Sequence, residues 1–149
     1  MTMTEDTDSP LALDSQLCFA LYSTQLAMNK LYRHLLQELG LTYPQYLTML
    51  VLWQQEKQTV SAIGEQLHLD SATLTPLLKR LEKAGLIIRK RARHDERQVE
   101  VTLTDQGRHL RSQAESIPHS ARCASHLTME EARELKQALH HLRRGLDMG

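Results

Sequence analysis

Apolar positions follow a helical period over most of the chain and switch once to a period of two. Leu17, Leu21, Met28, Leu31, Leu35 and Leu39 recur at three- or four-residue spacing, the one wider gap being bridged by Thr24 or Gln25. This pattern predicts a long helix with one buried stripe, capped by Asp14 and ending at Gly40. The next helix opens with Thr42-Tyr43-Pro44-Gln45, a capping box in which the Thr hydroxyl takes one orphan amide and the Gln side chain returns to another, and runs to about Gln54. Thr59 then caps a short helix over Val60 to Leu67. After a brief turn at His68 and Leu69, Asp70 or Ser71 caps the following helix, which extends from about Ser71 to Ala84. Two short helices so joined have the spacing of a helix-turn-helix.

After Gly85 the period changes. Leu86, Ile87 and Ile88 make a short strand, and Gln98 to Leu103 alternates, with Val99, Val101 and Leu103 on one side. The tip between them, Arg91 to Arg97, holds no apolar residue larger than Ala92, so it is expected to project into solvent or into a groove of DNA. A hairpin directly behind a helix-turn-helix defines the winged variant: a mainly α fold with a small β-wing. Thr104 caps a helix to about Ser116, and Pro118 interrupts it. Thr128 to Glu131 forms a second capping box before a last helix with Ala132, Leu135, Leu139, Leu142 and Leu146 on one face.

A length of 149 residues suits one domain, expected over residues 11–149 behind a flexible acidic tail at 1–10, with the winged helix-turn-helix at about 42–104. A single Phe and a single Trp leave aliphatic packing to form the core. The longest dense apolar run, Leu47 to Trp53, is far shorter than the ~20 residues of a membrane span. The N-terminus has no secretory pattern, so the protein is expected in the cytoplasm. In that reducing compartment Cys18 and Cys123 are thiols at rest, and a disulfide between them is a transient event.

The formal net charge of zero argues against a nucleic-acid partner only until its distribution is considered. From Lys79 to Arg97 eight basic residues face three acidic ones, a local excess of five that makes an electrostatic footprint for phosphates. A solvated basic face is the plain alternative. In the recognition helix Ser71, Thr73, Leu74, Thr75 and Pro76 offer small hydroxyls and apolar groups to base edges and thymine methyls. Pro76 is expected in the first turns, where its missing amide costs little. Lys79, Arg80 and Lys83 suit backbone phosphates, while Leu77, Leu78 and Leu81 fill the inner side. Arg89, Arg91 and Arg93 charge the wing. Arg97 suits a narrow minor groove, with Asp95 holding its guanidinium. A winged helix used only for protein contacts is the competing reading, and positive charge on both DNA-facing elements favours double-stranded DNA.

The segment from Leu41 to Leu103, especially GEQLHLDSATLTPLLKRLEKAGLIIRKR followed by DER and VTLT, resembles the MarR family of dimeric bacterial winged-helix repressors. LDSQLCFALY at residues 13–22, Tyr32 in the same helix, and TYPQYL at 42–47 resemble the organic hydroperoxide resistance regulators (OhrR) within it. The resemblance implies a homodimer built from the terminal helices, about 14–40 and 105–147, that binds an inverted-repeat operator and represses a peroxide-detoxifying gene. It implies that Cys18 senses organic hydroperoxide, that Tyr32 and Tyr43 hydrogen-bond it, and that Tyr22 belongs to the surrounding pocket. It further implies the two-cysteine type, in which Cys123 resolves the oxidised sulfur as an intersubunit disulfide that cellular thiols reduce.

The residues themselves support reactivity at Cys18. With Asp14 as the cap, Cys18 lies in the first turns of its helix, where the helix dipole favours thiolate, the nucleophilic form. No Lys or Arg lies between residues 11 and 29, which leaves activation to tyrosine hydroxyls. Leu17, Phe19, Leu21 and Met28 make an apolar neighbourhood suited to alkyl or lipid hydroperoxides. Three other readings stay open: an inert core cysteine, a winged-helix repressor with a non-covalent phenolic or similar ligand, and a thiol peroxidase. Against the last, no base or arginine pairs with Cys18 and there is no CxxC, so no enzyme is expected. His119, Cys123 and His126 share i, i+4, i+7 spacing with zinc-ligand chemistry, but Pro118 disturbs the helical phase and no fourth ligand is evident. No metal and no cofactor is expected.

Overall fold

A computed structural model describes residues 9–147; most of the expected acidic tail, residues 1–8, lies outside the described residues. The elements are α1 (Leu17–Leu35), α2 (Tyr43–Gln54), β1 (Lys57–Thr59), α3 (Val60–Leu67), α4 (Ser71–Lys83), β2 (Ile87–Arg91), β3 (Val99–Leu103), α5 (Asp105–Ala114), α6 (Ile117–Ser125) and α7 (Met129–Leu146). This is the mainly helical winged helix-turn-helix that the periodicity predicts.

Local chemistry starts most of these helices. The Thr42 hydroxyl accepts from the Gln45 N–H, and Gln45 Oε1 accepts from the Thr42 N–H at 2.9 Å. Thr59, Asp70, Thr104 and Thr128 each accept from the N–H three residues on. Asp14 does not cap α1. The chain takes a 3-10 turn over Leu13–Ser15, and Gln16 precedes the helix with no side-chain cap, its amide donating back to the Pro10 and Ala12 carbonyls. The long first helix also ends early, at Leu35, with a 3-10 turn over Gln37–Leu39 before Gly40 at φ 67°.

The sheet is antiparallel in the order β1-β3-β2, with Gln58 opposite Val101 and Arg89 opposite Val101 on the other edge. β1 is not signalled by apolar alternation, because its side chains are polar and its strand state comes from pairing with β3. Gln58 is nonetheless buried, and its amide donates to the Val51 and Gln55 carbonyls that end α2. Trp53 Nε1 donates to the Gly107 carbonyl at 2.9 Å, fastening α5 to α2. A Cβ on Gly107 would sit 2.2 Å from the Leu86 carbonyl oxygen, so only glycine fits there.

The core is the winged-helix segment, where Met49, Leu52, Ile63, Leu78, Leu81 and Val101 are fully buried. The terminal helices differ. α1 and α7 contain no buried residue. The stripe expected to be buried on α1 is half-buried near α2, at Leu31 and Leu35, and bare at its start, where Leu17 is 62 % exposed. Pro118 opens α6 near its first position, where the lost N–H is free of cost, and α6 packs back on α1.

Candidate nucleic-acid interface and redox centre

The turn between α3 and α4 is tight for a stated reason. His68 closes α3 at φ 58°, and the Leu69 N–H reaches the Gly64 carbonyl at 2.9 Å. A side chain at Gly64 would meet the Leu69 oxygen at 2.8 Å. Asp70 then caps α4, and hydrogen bonding from Thr73 holds its carboxyl below the usual carboxylate range. On α4, Ser71, Thr73, Pro76, Lys79, Arg80 and Lys83 are exposed and Thr75 is half-buried. Leu74 corrects the sequence expectation: it is 0 % exposed and packs with Leu77, Leu78 and Leu81 inside, so it has no surface to offer a base. Pro76 also lies deeper than expected, as the sixth helical residue, where it removes a backbone bond to the Ala72 carbonyl.

The wing is tied to this helix. Glu82 Oε1 accepts from the Arg89 guanidinium at 3.0 Å, and Oε2 accepts from the Arg89 main-chain N–H at 3.1 Å. The Arg89 side chain is 23 % exposed, and this pairing holds the Glu82 carboxyl below its ordinary range. At the tip, Ala92 is buried rather than projecting, and its N–H bonds the Gln98 carbonyl at 2.8 Å. Arg91 donates to the Glu96 carbonyl, and Arg93 is exposed. Asp95 Oδ1 accepts from both the N–H and the Nε of Arg97, at 3.0 and 3.2 Å, while the Arg97 side chain stays 92 % exposed. Sequence reasoning missed Lys57 and His94, which flank Glu100 at 3.2 and 3.9 Å. Lys57 lies on the strand that carries no apolar signature.

Cys18 is the second residue of α1 and is exposed. Tyr22, one turn on, is exposed as well. Tyr32 and Tyr43 stack with centroids 4.5 Å apart, and Tyr46 joins them at 5.9 Å from Tyr32. Burial pushes all three phenols up from their ordinary values, so their hydroxyls remain protonated donors. Tyr46, buried in the same TYPQYL segment, is a third ring that the sequence reading left unassigned; its signal is the three-residue spacing from Tyr43. Tyr32 lies fourteen residues beyond Cys18 on one helix, roughly 21 Å along its axis at the α-helical rise, so a single chain does not bring them together. A cavity of about 480 Å³ opens beside Tyr43, lined also by Gln25, Asn29 and Arg33. Cys123 is exposed on α6 with its Sγ 3.5 Å from His119 Nε2. His126 turns left-handed at φ 59° and ends the helix, which takes it off the face shared by His119 and Cys123. Among the described residues no three His, Cys, Asp or Glu side chains form a metal-holding group.

The family model described as transcriptional regulator SarA/Rot matches residues 30–113. The chain is 50 % identical to the HTH-type transcriptional regulator TtmR of Methylorubrum extorquens, over 91 % of this chain and 70 % of that protein. It is 48 % identical to the organic hydroperoxide resistance transcriptional regulator of Bacillus subtilis, over 89 % of this chain and 90 % of that one. The chain belongs to the MarR family of transcriptional regulators. Within the MarR family its fold is similar to AbfR of Staphylococcus epidermidis. Reduced AbfR bound to DNA matches at 40 % identity, covering 90 % of this chain and 92 % of that chain with a TM-score of 0.74. Disulfide-formed AbfR matches at 39 % identity with a TM-score of 0.62, covering 95 % and 97 %. No helix among the described residues of this MarR-family chain is long and apolar enough to cross a membrane.

Proposed function

We propose that this chain is an organic-hydroperoxide-sensing transcriptional repressor. As a reduced homodimer it binds a palindromic operator in double-stranded DNA, and it releases that operator when Cys18 is oxidised and joined to Cys123 of the partner subunit. The observation that carries the reading is the separation of Cys18 from the Tyr32–Tyr43 cluster along α1, together with the bare apolar faces of α1 and α7. In a two-fold dimer whose axis crosses α1 the two copies run antiparallel and residues from opposite ends of the helix meet, so pairing those faces assembles a sensor from Cys18 and the partner's Tyr32. The winged helix-turn-helix at about 42–104 then acts as the reading head, and helices at about 14–40 and 105–147 as the dimerisation part of one domain.

On DNA, two copies of α4 about one helical turn apart, ~34 Å, meet successive major grooves. Ser71, Thr73, Thr75 and Pro76 face base edges. Lys79, Arg80 and Lys83 take phosphates, Arg91 and Arg93 flank them, and Arg97, held by Asp95, enters the minor groove. Arg89 serves by fixing the wing to α4.

In the sensing step the Cys18 thiolate attacks the peroxide oxygen, the O–O bond breaks, and the alkoxide leaves to be protonated as an alcohol. The resulting sulfenic acid condenses with Cys123 of the partner subunit to a disulfide and water. Drawing the two sulfurs together shifts the terminal helices and takes the wings out of register. Cellular thiols reduce the disulfide and restore binding. The sulfur turns over only as a sensor, so the chain is no enzyme in this reading. The similarity to AbfR, solved both reduced on DNA and in a disulfide-formed state, supports it.

Operator binding by Cys18→Ser after organic hydroperoxide treatment is the test. Retained binding is expected, and release at the wild-type level overturns the redox reading. The cavity beside Tyr43 favours one second reading, a repressor with a non-covalent small-molecule ligand, which predicts that same release without covalent change.

A further inference from the structure

Cys123 does not stand alone on α6. Its Sγ lies 3.5 Å from His119 Nε2, and His119 Nδ1 lies 3.4 Å from Arg122 Nη2. An arginine side chain only donates, so Nδ1 is the acceptor in that contact and the imidazole carries its proton on Nε2, facing the sulfur. The sulfur is therefore the acceptor at the end of a short relay, Arg122 to His119 to Cys123. The three share one helix with i, i+3 and i+4 spacing, which fixes the relay without help from another element. His119 and Cys123 are exposed in the single chain, so the relay is not part of its core.

We infer that His119 is a positioning residue for disulfide closure, its Nε2–H holding the Cys123 sulfur as the attacking group in the resolving step. The inference rests on the resolving role proposed for Cys123 and adds the residue that prepares it. The thiolate is the species that attacks sulfenic sulfur, and a hydrogen bond from a ring N–H directs its lone pair while leaving the sulfur open to solvent and to a second chain. Arg122 fixes the tautomer that makes this possible. The step balances simply. The Cys123 thiol gives its proton to solvent, the sulfur bonds to the sulfenic sulfur of Cys18, and the S–O bond breaks. The leaving hydroxide takes a proton from solvent, so a thiol and a sulfenic acid become a disulfide and one water.

The test compares wild type, His119→Phe and His119→Gln as full-length dimers given one equivalent of cumene hydroperoxide. Phe supplies a planar aromatic ring with no nitrogen, whereas Gln returns an N–H near the Nε2 position. Samples are quenched with N-ethylmaleimide and resolved on non-reducing gels, and sulfenic acid is trapped with a dicarbonyl probe. Covalent dimer is expected to form about tenfold or more slowly in His119→Phe, the scale of one lost hydrogen bond to a charged group. Sulfenic acid then accumulates, while His119→Gln recovers most of the rate and Cys18 oxidation is equally fast in all three. Closure at the wild-type rate in His119→Phe, or a slowing confined to Cys18 oxidation, overturns the inference alone. Absence of covalent dimer from oxidised wild type overturns the resolving role of Cys123 and the inference with it.

Discussion

Arg89 on β2 donates from both its main-chain N–H and its guanidinium to the Glu82 carboxylate on α4, so one side chain fixes the angle between recognition helix and wing. Replacing the carboxylate by an amide leaves one neutral acceptor for two donors. Glu82→Gln is expected to weaken operator binding several-fold, because helix and wing no longer meet the two grooves at a fixed angle. Gel shift against the Arg80→Gln variant separates the two effects: a lost phosphate contact lowers the salt dependence of binding, whereas a lost hinge leaves it unchanged.

The same pair sets a pH dependence. The Glu82 carboxyl is held below its ordinary range, first by its hydrogen bonds from the Arg89 side chain. A depressed carboxylate contributes stability that is fully present above the unfolded value, about 4.3, and is lost as pH falls through the lower folded value. Acid titration of wild type and Glu82→Gln is therefore expected to converge below that window and diverge above it. Parallel curves across the window remove Glu82 from the acid response.

Gly107 separates close packing from flexibility. Gly107→Ala pushes a methyl onto the Leu86 carbonyl, backbone against backbone, and displaces the acceptor of Trp53 Nε1. The expected loss is about 3 kcal/mol. Chemical unfolding followed by the fluorescence of Trp53, the single tryptophan, measures it directly.

Leu74 and Lys79 lie on one helix and should fail differently. Leu74 is fully buried, so Leu74→Ala is expected to cost about 2–5 kcal/mol of stability and to leave base preference unchanged. Lys79 is exposed and, among the described residues, forms no ion pair. Lys79→Ala should leave stability alone, weaken binding to all sequences alike and reduce the salt slope by about one. A changed base preference in Leu74→Ala would return that residue to the DNA-facing set.

How legible these parts were in the sequence follows from how local their causes are. Caps at Thr42, Thr59, Thr104 and Thr128 are decided within four residues and are legible there, whereas at α4 the sequence leaves Asp70 and Ser71 open and the structure selects Asp70. Asp14 is a sound cap by residue type, but the 3-10 turn it joins ends before α1 begins. β1 is illegible because Lys57, Gln58 and Thr59 become a strand only against β3. The spacing 74, 77, 78, 81 carries the burial of Leu74, and only its place near the start of the recognition helix suggests base contact instead. The cysteine segment resembles a sensor, but its geometry needs the helix bounds: Cys18 and Tyr32 lie roughly 21 Å apart along one helix, and the proposed two-chain sensor follows from that separation.

The proposed two-chain sensor requires a dimer. Leu17 on α1 and Leu146 on α7 are 62 % and 66 % exposed, and Leu135 and Leu139 continue the bare stripe on the one face where the periodicity of α7 gathers its apolar residues. Covering such a row of apolar side chains with a second surface contributes about 25 cal/mol per Å² removed from solvent. A charge placed in the row is costly only if that surface exists. Leu139→Glu is therefore expected to shift the protein from dimer to monomer in sedimentation, with its winged helix still folded by circular dichroism and near-ultraviolet signal. Operator binding should fall with it, since one reading head alone meets half of an inverted repeat. Slower Cys18 oxidation should accompany both losses, because the proposed sensor pairs Cys18 with the partner's Tyr32 and a monomer has no such pair. A Leu139→Glu protein that stays dimeric, or a monomer that keeps the wild-type oxidation rate, sinks the two-chain sensor while leaving the winged helix untouched.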